Sequence, residues 1–199
     1  MSLSIHVVTG QDRELRQNYL IAKLAHHWQK GGHKVSYESA NKIDADLGII
    51  HIDQTRITRS MIPDNPCNRL LLNSNVLDIS KSSFSTLRLL PDDSWTGPVI
   101  IKSDLNCFGK REWKKKKKSF FEKKQRRLAE KSWRLARILP PERYPILNSL
   151  KEVPGWVWKH PEIIVERFMP EREQGFYCIR GWVFFGKRGY TYRLFSTDS

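Results

Sequence analysis

Residues 97–109 read GPVIIKSDLNCFG. Val99, Ile100 and Ile101 make a short apolar run after Pro98, the pattern of a buried strand. The run ends on Lys102, so a cation is presented from the tip of a rigid element. The residues that follow, SDLNCFG, form a polar loop closed by Gly109. Working outward, 91–98 (PDDSWTGP) is rich in turn formers and marks a boundary. Before it, 4–9 reads as a strand. Residues 14–30 read as a helix, with Leu15, Tyr19, Ala22, Ala25 and Trp28 at helical spacing and Gly31-Gly32 as its stop. Residues 33–37 read as a second strand, and 46–53 (DLGIIHID) as the near-continuous apolar run of a buried parallel strand. A further short strand is expected at 69–73. On the other side, 163–169 reads as a strand and 170–175 as a turn. Two alternating strands then follow, at 177–185 and 190–195, joined by GKRG in an antiparallel meander. The expected class is α/β, α+β overall, in three units: 1–90, 91–162 and 163–199.

Of the 199 residues 39% are hydrophobic, enough to build a core and to exclude a disordered chain. The formal charge of +14 favours polyanionic partners without choosing among them. Most of it is local: from Lys110 through Arg137 there are 14 Lys and Arg against 3 Glu, a surplus of 11. In that window Trp113, Phe120, Phe121, Leu128, Leu135 and Leu139 fall near a heptad-like stripe. The stripe predicts one basic amphipathic helix, or two joined near Lys118, inserted over 110–139 and ending before Pro140-Pro141. Core packing is the expected role of its aromatics. Cys67, Cys107 and Cys178 have neither disulfide nor zinc spacing, and each is expected to be a small buried hydrophobe. His26-His27 is expected on a helix end and His51 in the core. The N-terminus lacks the features of a secretory signal, and no apolar stretch approaches the ~20 residues a membrane span needs. A soluble cytoplasmic chain is expected.

Three segments taken together, 77–85 (LDISKSSFS), 97–109 and 163–185 (IIVERFMPEREQGFYCIRGWVFF), resemble the ATP-grasp superfamily, which includes D-alanine–D-alanine ligase and glutathione synthetase. The likeness is greatest to bacterial members with a short α/β domain ahead of the ATP-binding lobes, and it covers most of the chain after Leu77. It implies a small parallel pre-ATP-grasp domain followed by ATP-grasp lobes, the second incomplete, with ATP as the bound nucleotide. Lys81 and Lys102 would then meet the phosphates and the adenine edge. Asn106 and Gly109 would belong to the loop that folds over the phosphates, although that loop is poor in glycine. Glu166, Arg167, Phe168 and Met169 would line the base on the strand linking the lobes. Glu173, with Glu171 as competitor, would hold the ribose hydroxyls. The acidic segment that binds Mg²⁺ in such ligases is missing from the sequence up to Ser199, so the chain is expected to be incomplete or inactive alone, whether as a truncation, as half of a split enzyme or as a non-catalytic relic. Carboxylate–amine or carboxylate–thiol ligation, Mg²⁺ binding and a second chain completing the fold are therefore expectations that depend on residues outside this sequence. Arg180 and Arg193 are open to phosphate contact or to ordinary solvation. The rival reading is a nucleic-acid-binding or interaction module using the basic helix, with lysines neutralising phosphates and aromatics stacking on bases.

Overall fold

The computed structural model describes residues 1–10, 19–39, 41–110, 112 and 119–197. The chain is a mixed α/β structure with one parallel and two antiparallel sheets. The first sheet has the order β2-β1-β3-β4, all parallel, from β1 (Ser4–Thr9), β2 (Lys34–Glu38), β3 (Leu47–His51) and β4 (Leu70–Leu72). Val7 and Val8, on opposite faces of β1, are both essentially inaccessible, as a central parallel strand requires. Helix α1 (Leu20–Lys30) covers one face through Ile21, Ala25 and Trp28, an i, i+4, i+7 set. It ends at Gly31, and Gly32 takes φ +84 to turn the chain into β2. Leu15 and the start predicted at 14 lie outside the described residues.

The second sheet, order β5-β8-β6-β7, is antiparallel and is built from β5 (Arg88–Leu89), β6 (Val99–Ser103), β7 (Ile146–Leu147) and β8 (Ile163–Arg167). Leu89, Val99, Ile101, Leu147 and Val165 share one face, where they join Leu150, Val153 and Val157 in a core edged by Trp133 and Trp156. Ile100, Lys102, Ile164 and Glu166 occupy the opposite face. Strand pairing joins segments from all three expected units in this sheet. Arg88–Leu89, expected within an N-terminal unit of 1–90, pairs with β8. The 163–167 strand, expected to open a third unit, runs against the whole of β6. Long-range pairing fixes these memberships, and local composition does not register it. Short helix α2 (Lys81–Phe84) precedes β5.

The third sheet is the meander β9 (Glu171–Glu173), β10 (Phe176–Phe185) and β11 (Arg188–Ser196). The turn expected at 170–175 contains a short strand, and β10 turns into β11 through Gly186 at φ +57.

Helix α3 (Phe120–Ala136) starts on a capping box. The Ser119 side chain accepts from the Glu122 N–H at 3.2 Å, and the Ser119 N–H donates to Glu122 Oε2 at 2.8 Å. It is kinked at Ser132 and ends at Arg137 with φ 53. Of the predicted stripe Leu139 packs against the core, but its members within the helix do not. Phe120, Phe121 and Leu135 are 77%, 80% and 76% exposed, and Leu128 is exposed as well. The helix instead packs through Ala129, Ala136 and Trp133, the last edge-on to Trp156 of α4 (Gly155–Trp158). Trp113 lies outside the described residues. Among the described residues no helix is long and apolar enough to cross a membrane.

Candidate functional site

The site grows from the tip of β6. Lys102 and Glu166 lie on one face of neighbouring strands. Lys102 stands opposite Ile164 and Glu166 opposite Ile100, so the two ionic side chains are diagonal neighbours. Lys102 Nζ donates to Glu166 Oε2 at 2.7 Å. The glutamate is buried at 4% exposure, whereas the lysine side chain keeps 28% of its surface. The cation is thus the member of the pair that faces solvent.

Lys81 reaches the same place from α2, its Nζ donating to the Leu105 carbonyl at 2.7 Å. Burial holds its ammonium below the ordinary lysine pKa. Asp104 and Glu166 oppose that effect and the charge of Lys102 reinforces it. The two lysines therefore feel one another beside one carboxylate.

A buried polar knot fixes their spacing. Asp104, 2% exposed, accepts from the Ser82 N–H at 2.7 Å, the Ser82 hydroxyl at 2.8 Å and Arg56 Nη2 at 2.5 Å. Its own carbonyl accepts from the Lys81 N–H at 3.2 Å. Arg56 also reaches Asp78, whose carboxyl is held below the usual range chiefly by the Ser80 hydrogen bonds, with help from Arg56. Thr55 continues the network. Its N–H and hydroxyl both donate to Glu112 Oε1, and its hydroxyl oxygen accepts from the Asn106 N–H at 2.8 Å.

The loop after Lys102 is more constrained than its glycine content suggests. Cys107, Phe108 and Gly109 follow one another at φ 44, 59 and 68, all left-handed. For the two residues with side chains this is stored strain. A methyl group at Gly109 would lie 2.7 Å from Leu105 Cδ1, so glycine is required both sterically and conformationally. Asn106 is exposed and takes part through its backbone. Phe108 stacks on Tyr144, with centroids 4.2 Å apart and planes 26° apart. Burial, with lesser contributions from Cys107 and Glu166, pushes the Tyr144 phenol up to about 12. Tyr144 is the member of the site that sequence reading missed. It arrives from the segment before β7, where Pro145 accepts from the Ile101 N–H, and the Tyr144-Pro145 pair was its one sequence signal.

The other predicted residues are spread along the chain beyond Glu166. The Arg167 N–H donates to Leu87 and the Phe168 N–H to Pro98, both at 2.9 Å. The Arg167 guanidinium lies 5.3 Å from the Trp95 ring centroid. Neither N–H is thus available to a base edge as expected. Among the described residues the Met169 N–H takes no backbone partner, and the Met169 side chain is 62% exposed. Glu173 accepts from Arg193 at 2.5 Å, and Glu171 is held by Arg180 through two bonds at 2.7 and 2.5 Å. The arginines left open between phosphate contact and solvation are therefore engaged by these glutamates. Glu171, Glu173 and Cys178 have ligand atoms within 4.8 Å of one another. Two arginine-bound carboxylates and a soft thiol do not suit Mg²⁺, which takes hard oxygen ligands. Of the cysteines, only Cys178 is buried; Cys67 and Cys107 are exposed, contrary to the sequence reading.

A cavity of about 500 Å³ adjoins the loop after Lys102 through Leu105 and Phe108, and is also lined by Ser103, Ile163, Arg126 and His160. None of the predicted site residues lines it. Lys110, at its wall, is paired with Glu142 at 2.8 Å. Comparison with family models, with curated proteins and with solved structures returns no match.

Proposed function

We propose that the chain is a nucleotide-binding module of ATP-grasp type, with ATP held between the Lys81–Lys102 pair and the strand that carries Glu166. The observation that carries this reading is that Lys81, 21 positions earlier in sequence, is tied through its Nζ and its N–H to Leu105 and Asp104 just after Lys102, which itself pairs with the buried Glu166 on the strand expected to meet the base. Two fixed cations, one of them partly solvent-facing, suit a polyphosphate. Three successive left-handed residues, Cys107, Phe108 and Gly109, close the loop that follows Lys102, a backbone form associated with ligand clamps. In this reading Met169 supplies apolar surface and a free N–H to the base. Glu173 or Glu171 would reach the ribose only by leaving its arginine. ATP would supply the polyanion and the purine. The residues described here bind and orient it, and they provide no magnesium site.

Thermal-shift titration of the wild type and Lys102→Ala, with ATP and with GTP, tests the proposal. At ligand near a hundred times Kd the wild type gains about 2.7 kcal/mol, or roughly 5–10 °C at this chain length. Lys102→Ala should lose most of that gain relative to its own unliganded midpoint, and GTP should give less than ATP. Absence of any shift, or equal shifts for both proteins, overturns the reading.

A further inference from the structure

We infer that the outward face of α3 is a docking surface for an anionic lipid bilayer. The observation is the orientation of the helix. Its packing against the protein is achieved by Ala129, Ala136 and Trp133, so Phe120, Phe121, Leu128 and Leu135 are left uncovered. Before the kink at Ser132, Phe121 and Leu128 are seven residues apart on one face, and Phe120 and Lys124 lie beside them. Lys124, Arg127 and Lys131 are exposed along the same side. Over the whole helix six Lys and Arg oppose Glu122 and Glu130, and Glu122 is committed to the capping box.

A bilayer surface offers what this face lacks: an apolar layer for Phe and Leu, and negative headgroups for the flanking cations. Single-stranded nucleic acid fits less well. Base stacking needs open rings spaced along a strand, whereas Phe120 and Phe121 pack edge-on against each other at 6.3 Å, and the remaining apolar members are leucines. A helix lying in the interface needs both insertion and charge for stable attachment, and this face has both. The inference does not depend on nucleotide binding, because α3 contributes no residue to the lysine pair.

The test uses the full chain and two vesicle preparations, phosphatidylcholine alone and phosphatidylcholine with about 30% phosphatidylserine, read by co-sedimentation. The wild type should pellet with the anionic vesicles and not with the neutral ones, and raising salt from about 0.1 to about 0.5 M should weaken binding. Phe120→Ser with Phe121→Ser should weaken it at least about tenfold, with an unchanged melting temperature because both rings are already in solvent. Lys124→Glu with Lys131→Glu should abolish the preference for phosphatidylserine. Equal partition into both vesicle types overturns the inference, as does undiminished binding by the phenylalanine variant. Two further outcomes also overturn it: tight binding of single-stranded poly(U) without vesicle binding, and self-association through this face, seen as a larger species in size-exclusion chromatography that the phenylalanine variant loses.

Discussion

Replacing Lys102 by Met would leave the Glu166 carboxylate without its cation at 4% exposure. Removing one partner of a buried pair costs about 3–5 kcal/mol, because the surviving charge has lost its water as well as its partner. Here the lysine side chain is 28% exposed, so the pair is partly screened and the cost falls below that scale, to roughly 2–3 kcal/mol. At about 2–4 °C per kcal/mol for a chain of this size, the melting midpoint should fall by roughly 4–12 °C. Adding Glu166→Gln removes the stranded charge, and the double variant should recover more than half of the loss. It should not recover response to ATP, because the solvent-facing cation is still missing. Circular dichroism melts at neutral pH of the wild type, both single variants and the double variant measure the coupling directly. If Lys102→Met melts with the wild type, or if the double variant is no more stable than Lys102→Met, the two residues are not a buried pair and the site is wrongly assembled.

Gly109→Ala should lower stability by about 1–3 kcal/mol, seen as a lower urea midpoint, since the new methyl group meets Leu105 on a backbone at φ +68. Tyr144 gives a pH signature. Its phenol is raised from the ordinary value of 10.0 to about 12, so the folded state keeps a proton that the unfolded chain loses. The corresponding stability is complete below pH 10 and is lost as pH rises through 12. Ultraviolet titration should show one late-ionising tyrosine that disappears in Tyr144→Phe, and titration of all tyrosines together would contradict the burial of this ring.

Elements with a strong local period were legible in the sequence. The apolar run of β3, the alternating strands of the meander and the lysine ending β6 are where reading placed them. Strands β5 and β9 are two and three residues long, too short for a period to register, and only their partners define them. The α3 stripe was misread in a specific way. Phe and Leu dominate any hydrophobic pattern, yet the contact is made by Trp133 with two alanines, whose small size permits close approach and carries almost no signal. Within the site, Lys102 was legible because it ends an apolar strand. Asp104, two residues on, was passed over as part of a polar loop, because its partners Arg56 and Ser82 lie 48 and 22 positions away. The backbone partners of Arg167 and Phe168, Leu87 and Pro98, lie 80 and 70 positions earlier, so those bonds left no local trace.

The carboxylate of Asp104 gathers three donors from two distant stretches of chain, one of them an arginine on the connection between β3 and β4 of the parallel sheet. Lys81 is fastened to the same turn by its own amide. A displacement of the Arg56 segment therefore drags on Lys81 through a rigid linkage about two side chains long. Arg56 and the Lys81 turn thus share one anchor, and Asp104→Asn would loosen both together.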